Sequence, residues 1–260
     1  MSYFRIEYFS NALCRQTSFD VLIPNDRGID SSGFYPTDTM HTLFLLHGYT
    51  GKAGNWVPEE VVQKYRIAIV MPNAENSFYL NGLSSGHAYQ TMVGEELVDY
   101  VRKTFHLARC REDTFIAGMS MGGFGALHTG LAYPETFGKI AALSSALIVH
   151  SIAHMKPSDN PVVANYDYYR ECFGDLETVE SRETNPEVQI QLRKARGGII
   201  PDIFMCCGTE DFLLESNRSM HEFLLREQIE HTYYESCGNH DMAFWSEYIV
   251  KAVEWMFGKA

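Results

Sequence analysis

The chain has 260 residues, of which 45% are hydrophobic and 21% are charged, and its formal net charge is −12. This length allows one large α/β domain with a substantial core, and the dispersed acidic excess disfavours nucleic acid or an anionic membrane surface as a partner. No apolar run approaches the roughly 20 residues that a membrane-spanning helix needs, so we expect a soluble globular protein.

The N-terminal segment predicts the edge of a sheet. Residues 3–9 and 18–23 alternate polar and apolar side chains, a pattern typical of an antiparallel hairpin. The segment lacks the basic stretch and continuous apolar run of a secretory signal. The six cysteines are scattered without a CxxC spacing, which is typical of reduced thiols. We therefore expect a cytoplasmic protein.

Five short apolar runs further along the chain predict parallel strands that are buried on both faces. These runs occupy residues 42–46, 67–72, 114–118, 139–144 and 202–208. Stretches with helical spacing of apolar residues lie at 93–105 and 243–257. The alternation of strand and helix predicts an α/β fold, a three-layer sandwich with a mostly parallel central sheet.

Two segments fit this alternation less well, the polar loop 24–41 and the tyrosine-containing, charged stretch 145–200. The second begins just after a predicted core strand, near the sheet edge where ligands of such folds bind, so we expect a lid-like insertion there. No repeat, low-complexity tract or linker marks a boundary. We predict a single domain over residues 1–260.

The strongest local motif is GMSMGG at residues 118–123, which places Ser120 between a predicted strand and a predicted helix. A serine at the apex of such a tight turn projects its Oγ above the sheet, and the glycines let neighbouring chain come close. The GxSxG pattern alone recurs by chance. Its strand–turn–helix context is what predicts Ser120 as a nucleophile.

A serine hydroxyl needs a base within reach, and that base needs an acid to orient it. Asp211 follows the predicted strand 202–208 and His240 follows the next one, which is the chain order of α/β-hydrolases. Glu210 is the alternative to Asp211, whereas Asp241 is too near in sequence to reach around the imidazole easily. We predict His240 as the general base and Asp211 as the acid.

The other histidines are more typical of structural or surface groups. His150 and His154 are spaced to share one side of a helix, but no third metal ligand accompanies them. We therefore expect neither a metal ion nor a cofactor.

The tetrahedral intermediate of ester hydrolysis also needs N–H donors for its oxyanion. The amide of Met121, directly after the nucleophile, is the first candidate. Tyr49 is the second, because it follows His47 and Gly48 in a glycine-rich loop that leaves an early strand. Glycines also make ordinary turns, but the conjunction with Ser120 favours an oxyanion hole.

A family resemblance rests on five segments, LLHGYTGKAGNW, GMSMGGFGAL, FGD, CGTEDF and GNHDMAFW. Together they resemble the tributyrin-esterase branch of the esterase D-like α/β-hydrolases. That branch is related to S-formylglutathione hydrolases and to the feruloyl and acetyl-xylan esterases of carbohydrate esterase family 1. The resemblance implies the roles already given to Ser120, Asp211 and His240, the same oxyanion donors, Trp56 near the acyl pocket, and homo-oligomers.

We therefore predict a serine carboxylesterase that hydrolyses small-molecule esters with short acyl chains, acetylated sugars included, through an acyl-enzyme. A feruloyl or acetyl-xylan esterase is the nearest alternative. Trp56, Phe78, Tyr79 and Tyr89 could line the pocket of either kind of esterase, although aromatic residues with periodic spacing are more often part of the core. S-formylglutathione hydrolases resemble one another in a serine-glycine pair and a cysteine in the early loop, whereas this chain has HGYTG there. This difference disfavours a glutathione thioester as the substrate. A non-catalytic binding protein would be expected to have lost a triad residue.

Overall fold

The fold is given by a computed structural model that describes residues 1–25, 40–159, 161 and 163–258. Most of the predicted polar loop 24–41 lies outside the described residues. The described chain contains one eight-stranded sheet with helices against both faces.

The strands of the sheet follow the spatial order β1-β2-β4-β3-β5-β6-β7-β8. They are β1 (Ser2–Ser10), β2 (Arg15–Ile23), β3 (His41–Leu46), β4 (Ile67–Pro72), β5 (Thr114–Met119), β6 (Lys139–Leu143), β7 (Asp202–Gly208) and β8 (His231–Ser236). β1 pairs antiparallel with β2 and β2 pairs antiparallel with β4, while the six strands from β4 to β8 along the sheet are parallel. The predicted mostly parallel sheet with an antiparallel edge hairpin is confirmed.

The α-helices among the described residues are α1 (Glu59–Tyr65), α2 (Tyr89–Thr91), α3 (Leu97–Phe105), α4 (Met121–Ala132), α5 (Val149–Ile152), α6 (Tyr166–Phe173), α7 (Pro186–Ala195), α8 (Leu214–Arg226) and α9 (Met242–Met256). A π-helical turn, Met92–Glu96, joins α2 to α3, so the helical spacing predicted at 93–105 spans two kinds of helix. None of these helices is long and apolar enough to cross a membrane.

Successive residues of the central strands point to opposite faces of the sheet, and this alternation creates two apolar cores. In β3, Leu43 and Leu45 contribute to the core beneath α1 and α9. Phe44 and Leu46 contribute to the other core, which α3, α4, α7 and α8 cover. Helices on both faces of one sheet make the predicted three-layer sandwich.

The segment 145–200 contributes α5, α6 and α7 to this arrangement. Helix α7 packs on α4, and Ala146, Ile148 and Tyr169 reach the cavity above the carboxyl ends of the strands. That placement is compatible with a covering role for the segment. Its movement as a lid stays a prediction.

Helix α4 fixes the position of the site because it starts directly after Ser120. Its residues from Met121 to Leu131 are all buried, as expected for a helix that is apolar on every side. At Gly125 the backbone comes so close to Tyr79 that a Cβ would lie 2.3 Å from the tyrosine ring. Tyr79 is itself fully buried, so this contact locks the helix against the loop after β4.

We predict that Gly125→Ala destabilises the protein. Overpacking against the buried ring costs about 1–3 kcal/mol, which exceeds the roughly 1 kcal/mol that alanine gains over glycine inside a helix. Chemical denaturation should show a lower midpoint for this variant. The matched control is Gly198→Ala, where the nearest atom to a new Cβ is 3.5 Å away; equal stability of the two variants would contradict the packing argument.

Candidate active site

Ser120 occupies a sharp turn between β5 and α4, with a φ of 55° and a ψ of −119°. Positive φ is costly for a residue with a Cβ, and the surrounding backbone compensates. The Ser120 N–H donates to the Leu143 carbonyl at 2.9 Å, and the Ser120 carbonyl accepts from Phe124 and Ala146. This is the strained strand–turn–helix geometry of a nucleophile elbow.

Two of the three glycines in GMSMGG, Gly118 and Gly122, permit close backbone approach on either side of Ser120. A Cβ on Gly118 would lie 2.2 Å from the Gly122 carbonyl oxygen, and one on Gly122 would lie 2.3 Å from the Leu46 carbonyl oxygen. Neither contact could be relieved by a side-chain rotation, because both partners are backbone. Gly118 and Gly122 therefore cannot be replaced by a residue with a Cβ unless the backbone moves.

The structure brings Ser120, His240 and Asp211 into one chain of hydrogen bonds. Nε2 of His240 lies 2.9 Å from Ser120 Oγ, and Nδ1 lies 3.0 and 2.9 Å from the two carboxylate oxygens of Asp211. With Nδ1–H donating to the carboxylate, Nε2 is free to accept the serine proton. The three side chains thus have the spacing that nucleophile, base and acid require.

The Asp211 side chain is held in its ionised form. Burial raises the pKa of its carboxyl, but hydrogen bonds from His240 and from the Leu213 N–H outweigh that effect and leave the pKa below its usual range. A carboxylate at this point keeps the imidazole in the tautomer with hydrogen on Nδ1.

The two rival acids point elsewhere. Glu210 accepts the Gly238 N–H at 2.5 Å and the Thr209 hydroxyl at 2.9 Å. Asp241 accepts the Phe244 N–H and so caps the start of α9. The geometry therefore favours Asp211 over both as the partner of His240.

Tyr49 and Met121, the predicted oxyanion donors, both line the cavity above Ser120. Within the described parts of the chain, no backbone hydrogen bond uses either N–H group. The Met121 amide opens α4 and has no partner inside the helix. Two residues whose amides donate to no described backbone carbonyl thus line the same cavity as Ser120, which makes their N–H groups candidates for an oxyanion hole.

Asparagine side chains, which the sequence analysis did not consider, hold the loop that carries Tyr49. Asn76 accepts the Thr50 N–H at 2.7 Å, and Asn73 accepts the Ala53 N–H at 2.8 Å. Thr50 has a φ of 60°, so this bond fixes a strained residue next to Tyr49. The available signal was NAEN directly after β4, since asparagine side chains often bind nearby backbone.

His47 supports the same loop from below. Burial lowers its pKa, which keeps the ring neutral, so Nδ1 can donate to the Gly48 carbonyl while Nε2 accepts the Ala74 N–H. Tyr79 donates its hydroxyl to the His47 carbonyl at 2.9 Å. Tyr79 is therefore buried against this loop. It does not line the cavity, which was one of the two placements that the sequence allowed.

The cavity above Ser120 has a volume of about 490 Å³ and mostly apolar walls. Its large apolar residues include Trp56, Phe78, Met119, Ile148, Tyr169, Phe212 and Trp245. Trp56 and Phe78 thus line the cavity, as their sequence context allowed, whereas Tyr89 lies outside it. The Tyr89 hydroxyl instead contacts Arg15 and donates to Glu75.

His150 and His154 pair with glutamates of the segment 145–200. His150 contacts Glu180 at 2.6 Å and Glu187 at 3.2 Å, and His154 contacts Glu177 at 2.9 Å. Among the residues with a described placement, no cluster of three or more His, Cys, Asp or Glu residues could hold a metal ion. Ion pairs with glutamates thus account for the positions of the two histidine side chains.

Comparison with known proteins identifies relatives over nearly the full chain. The family model described as "Putative esterase" matches residues 10–256. An acetyl esterase of Caldicellulosiruptor saccharolyticus is 38% identical over 267 residues, and the alignment covers 98% of each chain.

Two solved structures from Staphylococcus aureus have a similar fold. The fluorophosphonate-binding serine hydrolase FphF, with substrate bound, has a TM-score of 0.84 at 27% identity. The S-formylglutathione hydrolase FrmB has a TM-score of 0.82 at 28% identity. Each comparison covers 98% of both chains.

Replacement of each of the two neighbouring acids by its amide tests the role of Asp211. Asp211→Asn should lower turnover of p-nitrophenyl butyrate about 10⁴-fold, because the amide favours the wrong imidazole tautomer. Glu210→Gln keeps an oxygen that can accept the Gly238 N–H and should lower turnover less than tenfold. The measurement is the steady-state kinetics of both variants on this ester. A larger loss of turnover in Glu210→Gln than in Asp211→Asn would assign the role to Glu210.

Removal of the Asn76 side chain tests the support of the Tyr49 loop. Since loss of an oxyanion donor costs about 10²–10³ in turnover, a loosened donor in Asn76→Ala should lower kcat by roughly tenfold to 100-fold with little change in KM. Asn81→Ala is the matched control, because Asn81 also accepts a backbone N–H, that of Thr91, away from the serine. A higher KM at unchanged kcat would contradict a role in transition-state stabilisation.

Proposed function

This chain belongs to the "Putative esterase" family and is a serine ester hydrolase, and we propose that it removes short acyl groups from small esters. The observation that carries the proposal is the unbroken chain of hydrogen bonds from Ser120 through His240 to Asp211. Its Ser120 end lines an apolar cavity, where an ester can reach the hydroxyl.

In the proposed mechanism, Oγ of Ser120 attacks the ester carbonyl carbon while Nε2 of His240 takes the hydroxyl proton. The Asp211 carboxylate stabilises the imidazolium that forms. The same Nε2 then gives its proton to the leaving alcohol oxygen as the C–O bond breaks, which leaves an acyl-enzyme. Nε2 of His240 then takes a proton from a water molecule, which attacks the acyl carbon. The proton passes to Ser120 Oγ as its bond to the acyl carbon breaks, and the acid is released.

The N–H groups of Tyr49 and Met121 would bind the oxyanion of both tetrahedral intermediates. Removal of one such donor typically costs about 10²–10³ in turnover. The support for this assignment is the position of both residues at the cavity and the lack of another partner for either amide within the described chain. Asn76 would act through the loop and not by contact with the substrate.

The preference for a short acyl chain has two supports. The relative from Caldicellulosiruptor saccharolyticus is named an acetyl esterase, and Trp56 lies in the cavity wall a few residues beyond the Tyr49 loop. A large side chain there would limit the length of the acyl group. Simple acetyl and butyryl esters, of the tributyrin type included, are the substrates that fit best.

A second candidate is a feruloyl or acetyl-xylan esterase, because Trp56, Phe78, Tyr169 and Trp245 give the cavity aromatic walls. A planar cinnamoyl group could pack between such rings. S-formylglutathione hydrolysis has the support of the likeness to FrmB, but the HGYTG loop departs from the pattern of those enzymes. A cytoplasmic location and a homo-oligomer remain part of the proposal.

Acyl-chain length tests the short-chain assignment. Because each methylene that fits gains about 1 kcal/mol and one that clashes loses this gain, kcat/KM should peak at acetyl to butyryl and fall steeply towards decanoyl. Trp56→Ala should move the optimum to longer chains and raise the octanoyl-to-butyryl ratio about tenfold or more. The measurement is hydrolysis of p-nitrophenyl esters, with methyl ferulate and S-formylglutathione alongside.

Two variants serve as controls in this experiment. Trp255→Ala removes the same side chain outside the cavity, where Trp255 packs on Phe204, and should leave the chain-length profile unchanged. Ser120→Ala should lose about 10⁴- to 10⁶-fold of activity on every ester. A wild-type preference for decanoyl esters, or for methyl ferulate over acetyl esters, would overturn the short-chain assignment.

A further inference from the structure

Phe212 is the most exposed of the large hydrophobic side chains in the described chain, with 74% of its surface accessible to solvent. Single exposed apolar residues are common on protein surfaces, so exposure alone identifies nothing. Phe212, however, also lines the cavity above Ser120, and its ring centroid lies 4.6 Å from that of His240. An apolar ring thus faces solvent directly beside the proposed general base.

The chain around Phe212 explains how the ring is held there. Asp211 before it and Leu213 after it are both buried, and the Asp211 carboxylate accepts the Leu213 N–H at 2.8 Å. The backbone is therefore pinned on either side, and the side chain between them is directed outwards. Phe212 is fixed at the cavity mouth by the same bonds that fix the acid.

The chemistry of ester cleavage says which half of the substrate must come close to His240. Nε2 gives its proton to the oxygen of the leaving alcohol, so that oxygen lies within hydrogen-bond distance of the imidazole. Among the residues that the structure describes, the rings of Phe212 and Trp245 contact the imidazole. Trp245 is only 9% exposed, which leaves Phe212 as the ring that a bound alcohol can cover.

We propose that Phe212 is the binding platform for the alcohol half of the ester, and that the alcohol carries a ring, as in an acetylated pyranose. This inference rests on the proposed esterase activity. A pyranose ring has an apolar face of C–H groups that can pack flat against an aromatic side chain, whereas a short linear alcohol offers little surface for such packing. Phe212 would thus select the alcohol, while Trp56 on the cavity wall limits the acyl group.

The acyl-enzyme supplies a sharp kinetic test, because esters with one acyl group and different alcohols give the same acetyl-enzyme. Deacylation cannot distinguish these alcohols, so a platform for the alcohol acts on acylation and appears in kcat/KM. The two substrates are ethyl acetate and a mono-acetylated methyl β-xylopyranoside. The measured quantity is the ratio of their kcat/KM values for each variant.

Phe212→Ala should lower the ratio of sugar ester to ethyl ester by roughly five- to tenfold, and Phe212→Trp, which keeps a flat ring, should preserve it. Leu225→Ala is the matched control, since Leu225 is 58% exposed on α8 and does not line the cavity; its ratio should equal that of the wild type. The ratio of ethyl butyrate to ethyl acetate should stay the same in Phe212→Ala.

Three results would overturn the inference while the proposed activity stands. Unchanged kcat/KM values on both acetyl esters in Phe212→Ala would show that Phe212 does not contact the alcohol. An equal loss on both acetyl esters would show that the ring only supports His240, and a changed butyrate-to-acetate ratio would place Phe212 on the acyl side. If the wild type hydrolysed neither of the two acetyl esters, this result would instead overturn the proposed function itself.

Discussion

The backbone conformation of Ser120 is the constraint on which the site depends. A positive φ at a residue with a side chain persists only where its surroundings hold it, and here β5, α4 and the chain after β6 all do so. The Ser120 amide and carbonyl bind Leu143, Phe124 and Ala146. The space for this arrangement exists because Gly118 and Gly122 have no Cβ. The sheet and the buried helix are thus the means by which a weakly reactive hydroxyl is presented to a ligand.

The groups around Ser120 come from separate strand ends, and hydrogen bonds between the loops hold them in place. His240 and Asp211 follow β8 and β7, while the Tyr49 loop follows β3 and is held by side chains that follow β4. A further asparagine, the buried Asn217 of α8, binds the backbone of Ser145 and of Leu213, and so ties the chain after β6 to the loop that carries Asp211. Because parallel strands end at the same edge, elements far apart in sequence converge there.

Much of this arrangement was predictable from the sequence, and the reason is physical. Buried parallel strands are continuously apolar, so the runs at 67–72 and 202–208 match β4 and β7, and the order of Ser120, Asp211 and His240 follows from the order of the strand ends. Asn76 was not predictable, because a polar residue after a strand does not reveal which backbone N–H it will bind. The placement of Tyr79 was left open for a similar reason: its aromatic character fits either the core or a cavity wall, and the structure places it in the core against α4.

The complete burial of α4 has a consequence for the dynamics of the protein. Amide hydrogens in a helix enclosed on every side exchange with solvent only through openings that approach global unfolding, whereas loops at a cavity mouth open at far lower free energy. The serine is attached to the first turn of that helix. Fluctuations that admit substrate and release product can therefore move the loops around the cavity while the Ser120 hydroxyl keeps its place.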